Sequence, residues 1–354
     1  MPIPTEPIGS IPRPTQLIEA MREFQEGRLA QEKLSALYED ALRDTIKRFE
    51  ATGSPVITDG EQTKPSFATY PIHGLTNLAP DGIAVPFADG HLRRLPRLIS
   101  GPFCYKVYAS SFLEAARQYT HAPLKQAVIS SSLLSLLYPQ EDIPGYSQGE
   151  FLNDLIGEAV KDIRGCLNNG AFKVQIDFTE ARLSLKLDPS GNLLERFIGF
   201  NNRVLSQFSV PERLTIGIHS CPGGDQDATH SADVDYAGLL PSLFKLNAGN
   251  FYIQLASEKD RPRILRLIRE HSQADQKIFV GVIDPINSYI ETPQEVRDRV
   301  LEAAEFIPLE RLGTTDDCGF SPFSDDISTS RETAFERIRA RVVGTELAAQ
   351  KLGL

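Results

Sequence analysis

Tryptophan is absent from this chain, methionine occurs only twice, and 354 residues carry just four cysteines. Cys104, Cys166, Cys221 and Cys318 are too sparse for a disulfide scaffold, which leaves them free as metal ligands or core fillers. No stretch approaches the ~18 apolar residues of a membrane span. The opening MPIPTEPIGSIPRP has no basic segment followed by an apolar one, so it lacks the look of a secretory leader. The expectation is a cytoplasmic protein with no membrane partner. Basic residues are outnumbered, 37 against 47 acidic, and the net charge of −10 argues against a nucleic-acid partner, which would require clustered Lys and Arg. A glycine-rich G-x-G-x-x-G turn is missing, against a dinucleotide-binding open sheet. Repeats, charge blocks and low-complexity runs are missing too, so nothing divides residues 1–354 into separate units.

What is present suits an ordinary globule: 41% hydrophobic and 24% charged residues suffice for a large core. Leu17, Ala20, Met21 and Phe24, then Leu34, Leu37, Ala41, Leu42 and Ile46, recur at helical spacing. Residues 1–53 therefore read as an N-terminal segment with two helices packing on the rest of the fold. Short apolar or β-branched runs come next, beginning at Pro55, Gly101, Gln126, Phe172, Arg213, Phe251, Lys277 and Arg311. Between the later ones lie amphipathic stretches at 151–167, 239–246, 262–268 and 293–306. Eight strands alternating with helices predict a single (β/α)8 barrel with an N-terminal helical extension. Residues 69–97, with Tyr70, His73, Phe87 and His91, form a long excursion after the first strand, either a lid or donor-binding element or a plain surface loop.

Residues with chemical potential fall at the C-terminal ends of these runs: Glu61, Asp177, His219, Cys221, Gln254, Asp284 and Cys318. In a barrel that end carries the active site, so distant positions converge on one mouth. Singly, each cysteine reads as a buried filler and His219 as a core histidine. Together, one imidazole and two thiols make a Cys2His zinc set with an open position. A thiol brought to such a cation loses its proton near neutral pH, which matches alkyl transfer to sulfur. Glu61 and Asp177 would hold an ammonium, or else cap helix starts. Ile8-Gly9-Ser10 would present N–H groups and a hydroxyl to a carboxylate, or simply bend the chain.

These motifs carry a resemblance. Ile8-Gly9-Ser10-Ile11-Pro12-Arg13-Pro14, Asp59-Gly60-Glu61-Gln62, Val174-Gln175-Ile176-Asp177, His219-Ser220-Cys221 and Asp316-Asp317-Cys318-Gly319-Phe320 stand in the order found in the catalytic barrel of the cobalamin-independent methionine synthases. That family lies within the uroporphyrinogen decarboxylase-like barrels. The resemblance implies a methyltransferase of the 5-methyltetrahydropteroyltriglutamate–homocysteine type, with a catalytic Zn2+ on His219, Cys221 and Cys318. It implies that Ile8, Ser10, Glu61 and Asp177 hold the amino-acid end of homocysteine, Glu61 and Asp177 being the catalytic-site carboxylates. Two places depart from the family. Gln254 stands where a glutamate ligand is usual, with Glu258 one helical turn on as a substitute, and Asn287 stands where the family has a proton-donating histidine.

Three functions remain open at this level. The first is methyl transfer to a homocysteine-like thiol from a methyl donor, the second is opening of an epoxide or transfer from another alkyl donor to a thiol, and the third is a non-catalytic amino-acid-binding barrel. Homo-oligomers are common among such proteins, but no interface is marked in the sequence.

Overall fold

The computed structural model describes residues 2–221, 223–231 and 233–354. Six parallel strands form its centre: β1 (Lys125–Ile129), β2 (Lys173–Asp177), β3 (Ile216–Ser220), β4 (Asn250–Ile253), β5 (Lys277–Ile283) and β6 (Leu312–Asp316). They neighbour one another in chain order, as right-handed β-α crossovers produce. Two short segments close the ring. Thr5 pairs with Thr314 beside β6, and Ile57 pairs with Leu124 beside β1, both parallel. The two segments are tied to each other through the Ile11 N–H on the Gly60 carbonyl (3.0 Å) and the Thr58 hydroxyl on the Gly9 carbonyl (2.8 Å). The chain is thus a (β/α)8 barrel.

One of the eight expected strands is elsewhere. The run at 101–108 forms no ladder, because side chains take its backbone donors: the Tyr146 hydroxyl accepts from Phe103 N–H (3.0 Å), and the Glu158 carboxylate accepts from Tyr105 N–H (2.9 Å). Its place in the ring belongs to the N-terminal segment, which was expected to pack on the barrel and instead forms part of its wall. Pro2, Pro4 and Pro7 hide this strand from propensity. It needs few donors, since Glu6 N–H reaches Thr314 O (3.0 Å) and Pro4 O accepts from Thr314 N–H (2.9 Å). As a result Ile8-Gly9-Ser10 lies at the C-terminal end of a wall strand.

Strand alternation sorts the side chains. Val174, Ile176, Ile216, Ile218, Phe251 and Ile253 join the main apolar core with the outer helices, while Ile8, Tyr252 and Phe279 form a separate inner cluster. The inner floor also takes charge. Lys173 pairs with Glu6 (2.6 Å), the Tyr252 hydroxyl donates to Glu6 (2.6 Å), and Lys125 Nζ lies 3.9 Å from the Tyr252 ring centroid. Burial pushes Lys125 down to about 7.

Outside the ring, Thr15–Gln25 and Gln31–Ala51 are the two N-terminal helices. Gln148–Asn168, Arg261–His271 and Pro293–Ala304 cover the expected amphipathic stretches, each opened by a side-chain cap from Ser147, Asp260 or Thr292. The stretch at 239–246 is shorter, a 3-10 turn at Tyr236–Gly238 and a single helical turn at Leu240–Leu243. Residues 69–97 fold as two small antiparallel pairs, Leu78–Ala79 with Arg97–Leu98 and Ala84–Pro86 with Leu92–Arg94. No helix among the described residues is long and apolar enough to cross a membrane.

Candidate metal centre and substrate cavity

A cleft of about 860 Å3 opens at the C-terminal end of the barrel. Its floor is polar, formed by Ser10, Glu61, Asp177, His219, Cys221 and Cys318, with Ile8 beside them. Every residue that the sequence singled out for the metal triad and the amino-acid end therefore meets in one place. Gln254 and Glu258 lie outside this lining.

His219 is the penultimate residue of β3, and Cys221 follows two residues on, so alternation sends both inward; Cys318 comes from the turn after β6. Their ligand atoms lie within 4.8 Å of one another, and all three residues are buried. The two sulfurs are 3.3 Å apart, far beyond a disulfide bond, and share a hydrogen. That sharing holds Cys318 well below the ordinary thiol range, helped by His219, while it pushes Cys221 up together with burial. Gly223 N–H also donates to Cys221 Sγ (3.3 Å).

The donor set fits zinc. Two soft sulfurs and an imidazole converge, and His219 Nδ1 is buried with no hydrogen-bond partner among the described residues. Gln254 adds to this. Ile253 pairs with Ser220, so the register carries Gln254 alongside Cys221, and its carbonyl Oε1 is likewise buried without a partner. Its amide nitrogen donates to Glu258, whose carboxyl burial pushes up. Glu258 itself is outside the group of converging ligand atoms.

The substrate side is built from the neighbouring strand ends. Glu61 sits at φ 55°, held by Asp59 Oδ1 accepting its N–H (3.0 Å) and by the Arg13 guanidinium donating to its carbonyl (2.6 Å). Lys64 donates to its carboxylate at 2.8 Å. Asp177 accepts from the Gln175 amide (2.7 Å), and burial raises its carboxyl to about 6, with Glu61 adding to the rise and His219 opposing it. Ser10 Oγ accepts from Ser321 N–H at 3.2 Å. A Cβ on Gly319 would come within 2.1 Å of that oxygen, so only glycine lets Ser10 approach the cysteine turn.

Three functional neighbours escaped the sequence reading. Asp317 turns away from its neighbour Cys318 to accept from the N–H groups of Leu255, Ala256 and Ser257 (2.8, 2.9 and 2.7 Å), fixing the loop after Gln254. His230 lines the cleft, its ring lying where a Cβ on Gly223 (φ 74°) would be, with Phe87 edge-on to it. Glu180, fully buried, lines it as well. Spacing gave no signal for any of these. Asn287, in the place of the family's histidine, uses its side-chain oxygen to accept from Tyr289 N–H (3.0 Å).

Above the floor the walls are apolar, from Phe67, Leu133, Leu183 and Phe323 together with Val85, Phe87 and Leu95 of the 69–97 excursion. The excursion therefore contributes part of the cleft wall. Arg93 and His91 bind Asp225 of the loop after β3 (2.6 and 2.9 Å), and Arg93 also reaches Asp325 (2.9 Å).

Comparisons with known proteins agree with this architecture. Residues 159–332 match the family described as the cobalamin-independent synthase catalytic domain. The methionine synthase of Sulfurisphaera tokodaii is 24% identical over 99% of this chain and 94% of its own length, and that of Saccharolobus solfataricus 22% over 99% and 96%. Among solved structures, the B12-independent methionine synthase of Shewanella sp. W3-18-1 in complex with selenomethionine superposes with a TM-score of 0.76 at 21% identity, covering 99% of this chain and 98% of that one. A putative B12-independent methionine synthase of Listeria monocytogenes gives 0.72 at 21%, covering 98% of each. Those structures bear on the fold; the motifs and the full-length relatives bear on descent. Residues 159–332 thus carry the catalytic-domain pattern of the cobalamin-independent synthases, and over nearly its whole length the chain is similar to methionine synthases, as a methyltransferase built on one catalytic barrel.

Proposed function

We propose that this methyltransferase uses zinc on His219, Cys221 and Cys318 to methylate the sulfur of homocysteine or a close analogue, giving methionine. The observation that carries the reading is the convergence of those three ligands, within 4.8 Å, on the floor that also holds Glu61, Asp177 and Ser10. A zinc ion held there supplies the positive charge that makes a substrate thiol nucleophilic at neutral pH.

The remaining chemistry belongs to the chain's own groups. Glu61, oriented by Lys64, and Asp177 face the same space and together suit one ammonium group. An arriving cation would lower the raised Asp177 carboxyl back toward its ordinary range. Ser10 Oγ already accepts from Ser321, which leaves its hydrogen to donate to a carboxylate. An α-amino acid with its thiol toward His219 meets these contacts in the right order. The apolar walls exclude water from the reacting sulfur and receive the methyl donor. Two thiols so close also call for a reducing compartment, which suits the cytoplasm.

Elemental analysis of protein purified without chelators tests this reading. About one zinc per chain in the wild type and little in Cys221→Ser is the expected result; a wild type free of zinc rules it out.

A further inference from the structure

We infer that Glu180 is the acid that delivers a proton to the leaving group of the methyl donor. The inference rests on the methyl-transfer reading and concerns the donor's half of the cleft.

Glu180 opens the helix Glu180–Leu187, three residues beyond Asp177, and is fully buried. One of its oxygens is fixed. Oε1 accepts from the Ser130 hydroxyl at 2.6 Å and from the Ser132 hydroxyl, and Ser132 in turn accepts from the Asn201 amide at 2.7 Å. The other oxygen, Oε2, is buried and has no partner among the described residues. A buried carboxyl oxygen left bare costs free energy unless it is protonated or meets a ligand. This one belongs to a residue that lines the cleft between Leu133 and Leu183, on the apolar side where the donor would lie.

Burial raises its carboxyl to about 7, with Asp177 adding to the rise and the two serines opposing it. Asp177 is the charged group that faces it. Asn201 and the serines are neutral, and Arg182 on the same helix is turned to the Val234 carbonyl (2.6 Å). An acid titrating near neutrality is matched to proton transfer at working pH. His230 is the other titratable group on that wall, but burial and the charges of Arg182 and Lys186 hold it neutral down to about pH 4. It has no imidazolium proton to give.

The step balances for a donor whose methyl sits on nitrogen. The acceptor sulfur, as thiolate, forms a bond to the methyl carbon as the carbon–nitrogen bond breaks. The pair of that bond stays on nitrogen, which takes the proton from Glu180 Oε2. The thiol proton was released to solvent beforehand, and Glu180 regains one from solvent afterwards, so a thiol and an N-methyl amine become a thioether and an N–H amine. Without an acid the amine would have to leave as an anion.

The test uses the zinc-loaded enzyme with homocysteine and a 5-methyltetrahydropterin. Glu180→Gln is expected to lower kcat on the order of 100-fold, with the KM for homocysteine within about twofold. Wild-type kcat should fall as pH rises through about 7, and the variant should lack that limb. A readout independent of turnover comes from infrared difference spectra of the metal-free protein. Because Asp317 titrates near the same pH, the signal is read as wild type minus Glu180→Gln, and that difference should contain one protonated-carboxyl stretch titrating near pH 7. Ser132→Ala, which loosens Oε1 and keeps the acid, should retain the limb with a smaller loss of kcat. A Glu180→Gln enzyme with near wild-type kcat, or with the high-pH limb intact, overturns the inference alone. A wild type that shows the infrared titration but transfers no methyl group overturns the functional reading and the inference with it.

Discussion

Ser257 gives both its backbone N–H and its hydroxyl to one carboxylate oxygen of Asp317, each at 2.7 Å, although the two residues stand 60 positions apart. The other oxygen takes Leu255 and Ala256, so one side chain clamps the loop that carries Gln254 and Glu258 to the turn that carries Cys318. Burial, with Asp284 adding to it, raises this carboxyl to about 7. Replacing it by alanine strands several donors at once. Asp317→Ala is expected to cost roughly 3 kcal/mol of stability and, by releasing the ligand loop, about 10-fold or more in zinc affinity. Denaturant melts and competition with a chelator measure the two effects, and wild-type values in both would refute the clamp.

Gly319 offers a sharper steric test. A methyl group there would come 2.1 Å from Ser10 Oγ, inside the contact distance of any pair of heavy atoms. Gly319→Ala must push either the Cys318 turn or the Ile8-Gly9-Ser10 strand end outward, at about 1–3 kcal/mol. The melting temperature should drop and methionine affinity, read by calorimetry, should weaken. A variant that binds methionine as tightly as wild type would show that Ser10 does not serve the ligand.

Most of the ring was legible because β1 to β6 are short, mostly apolar runs that end in or are followed within two residues by a polar or sulfur residue, and that pattern reports a buried strand meeting a mouth. Thr5 and its neighbours were not, since three prolines suppress strand propensity and a wall held by two backbone bonds leaves little periodicity. The run at Gly101 erred in the opposite sense: its aromatics are buried, but Tyr146 and Glu158 take its donors, and their positions are not predictable from local sequence. His219, Cys221 and Cys318, proposed for the metal, and Glu61 and Asp177, proposed for the ammonium group, were visible as residue types at strand ends. Glu180 was not, because an acid at the first turn of a helix is ordinary. Its burial depends on serines up to 50 positions earlier.

Gln254 lies beside Cys221 in the register with its Oε1 unpaired among the described residues, so a carboxylate at that position should complete the proposed ligand set. Gln254→Glu is expected to hold zinc at least about tenfold more tightly, only about 1.4 kcal/mol, a modest demand on a new contact between opposite charges. Gln254→Ala should lose affinity if the amide oxygen contributes. Chelator competition across the three proteins gives the order Glu, Gln, Ala. Equal affinities would remove Gln254 from the metal centre.

Asp162 yields a stability prediction independent of the site. Its carboxyl, buried beneath the excursion, accepts from the Tyr70 hydroxyl and from Ala109 N–H (2.6 Å), yet burial still raises it from 3.8 to about 6. Because the folded value lies above the unfolded one, the folded protein binds this proton more tightly. The contribution is therefore least unfavourable below pH 4, worsens as pH rises through the window from about 4 to 6, and is fully unfavourable above it. The shift corresponds to about 3 kcal/mol. Asp162→Asn cannot titrate, so comparing it with wild type cancels Asp177, Glu180 and the other buried acids. Between about pH 4 and pH 7.5 the stability of wild type relative to Asp162→Asn, measured in urea, should fall by about that amount. A difference that stays constant with pH would mean that the carboxyl is ionised throughout and that its two donors outweigh burial.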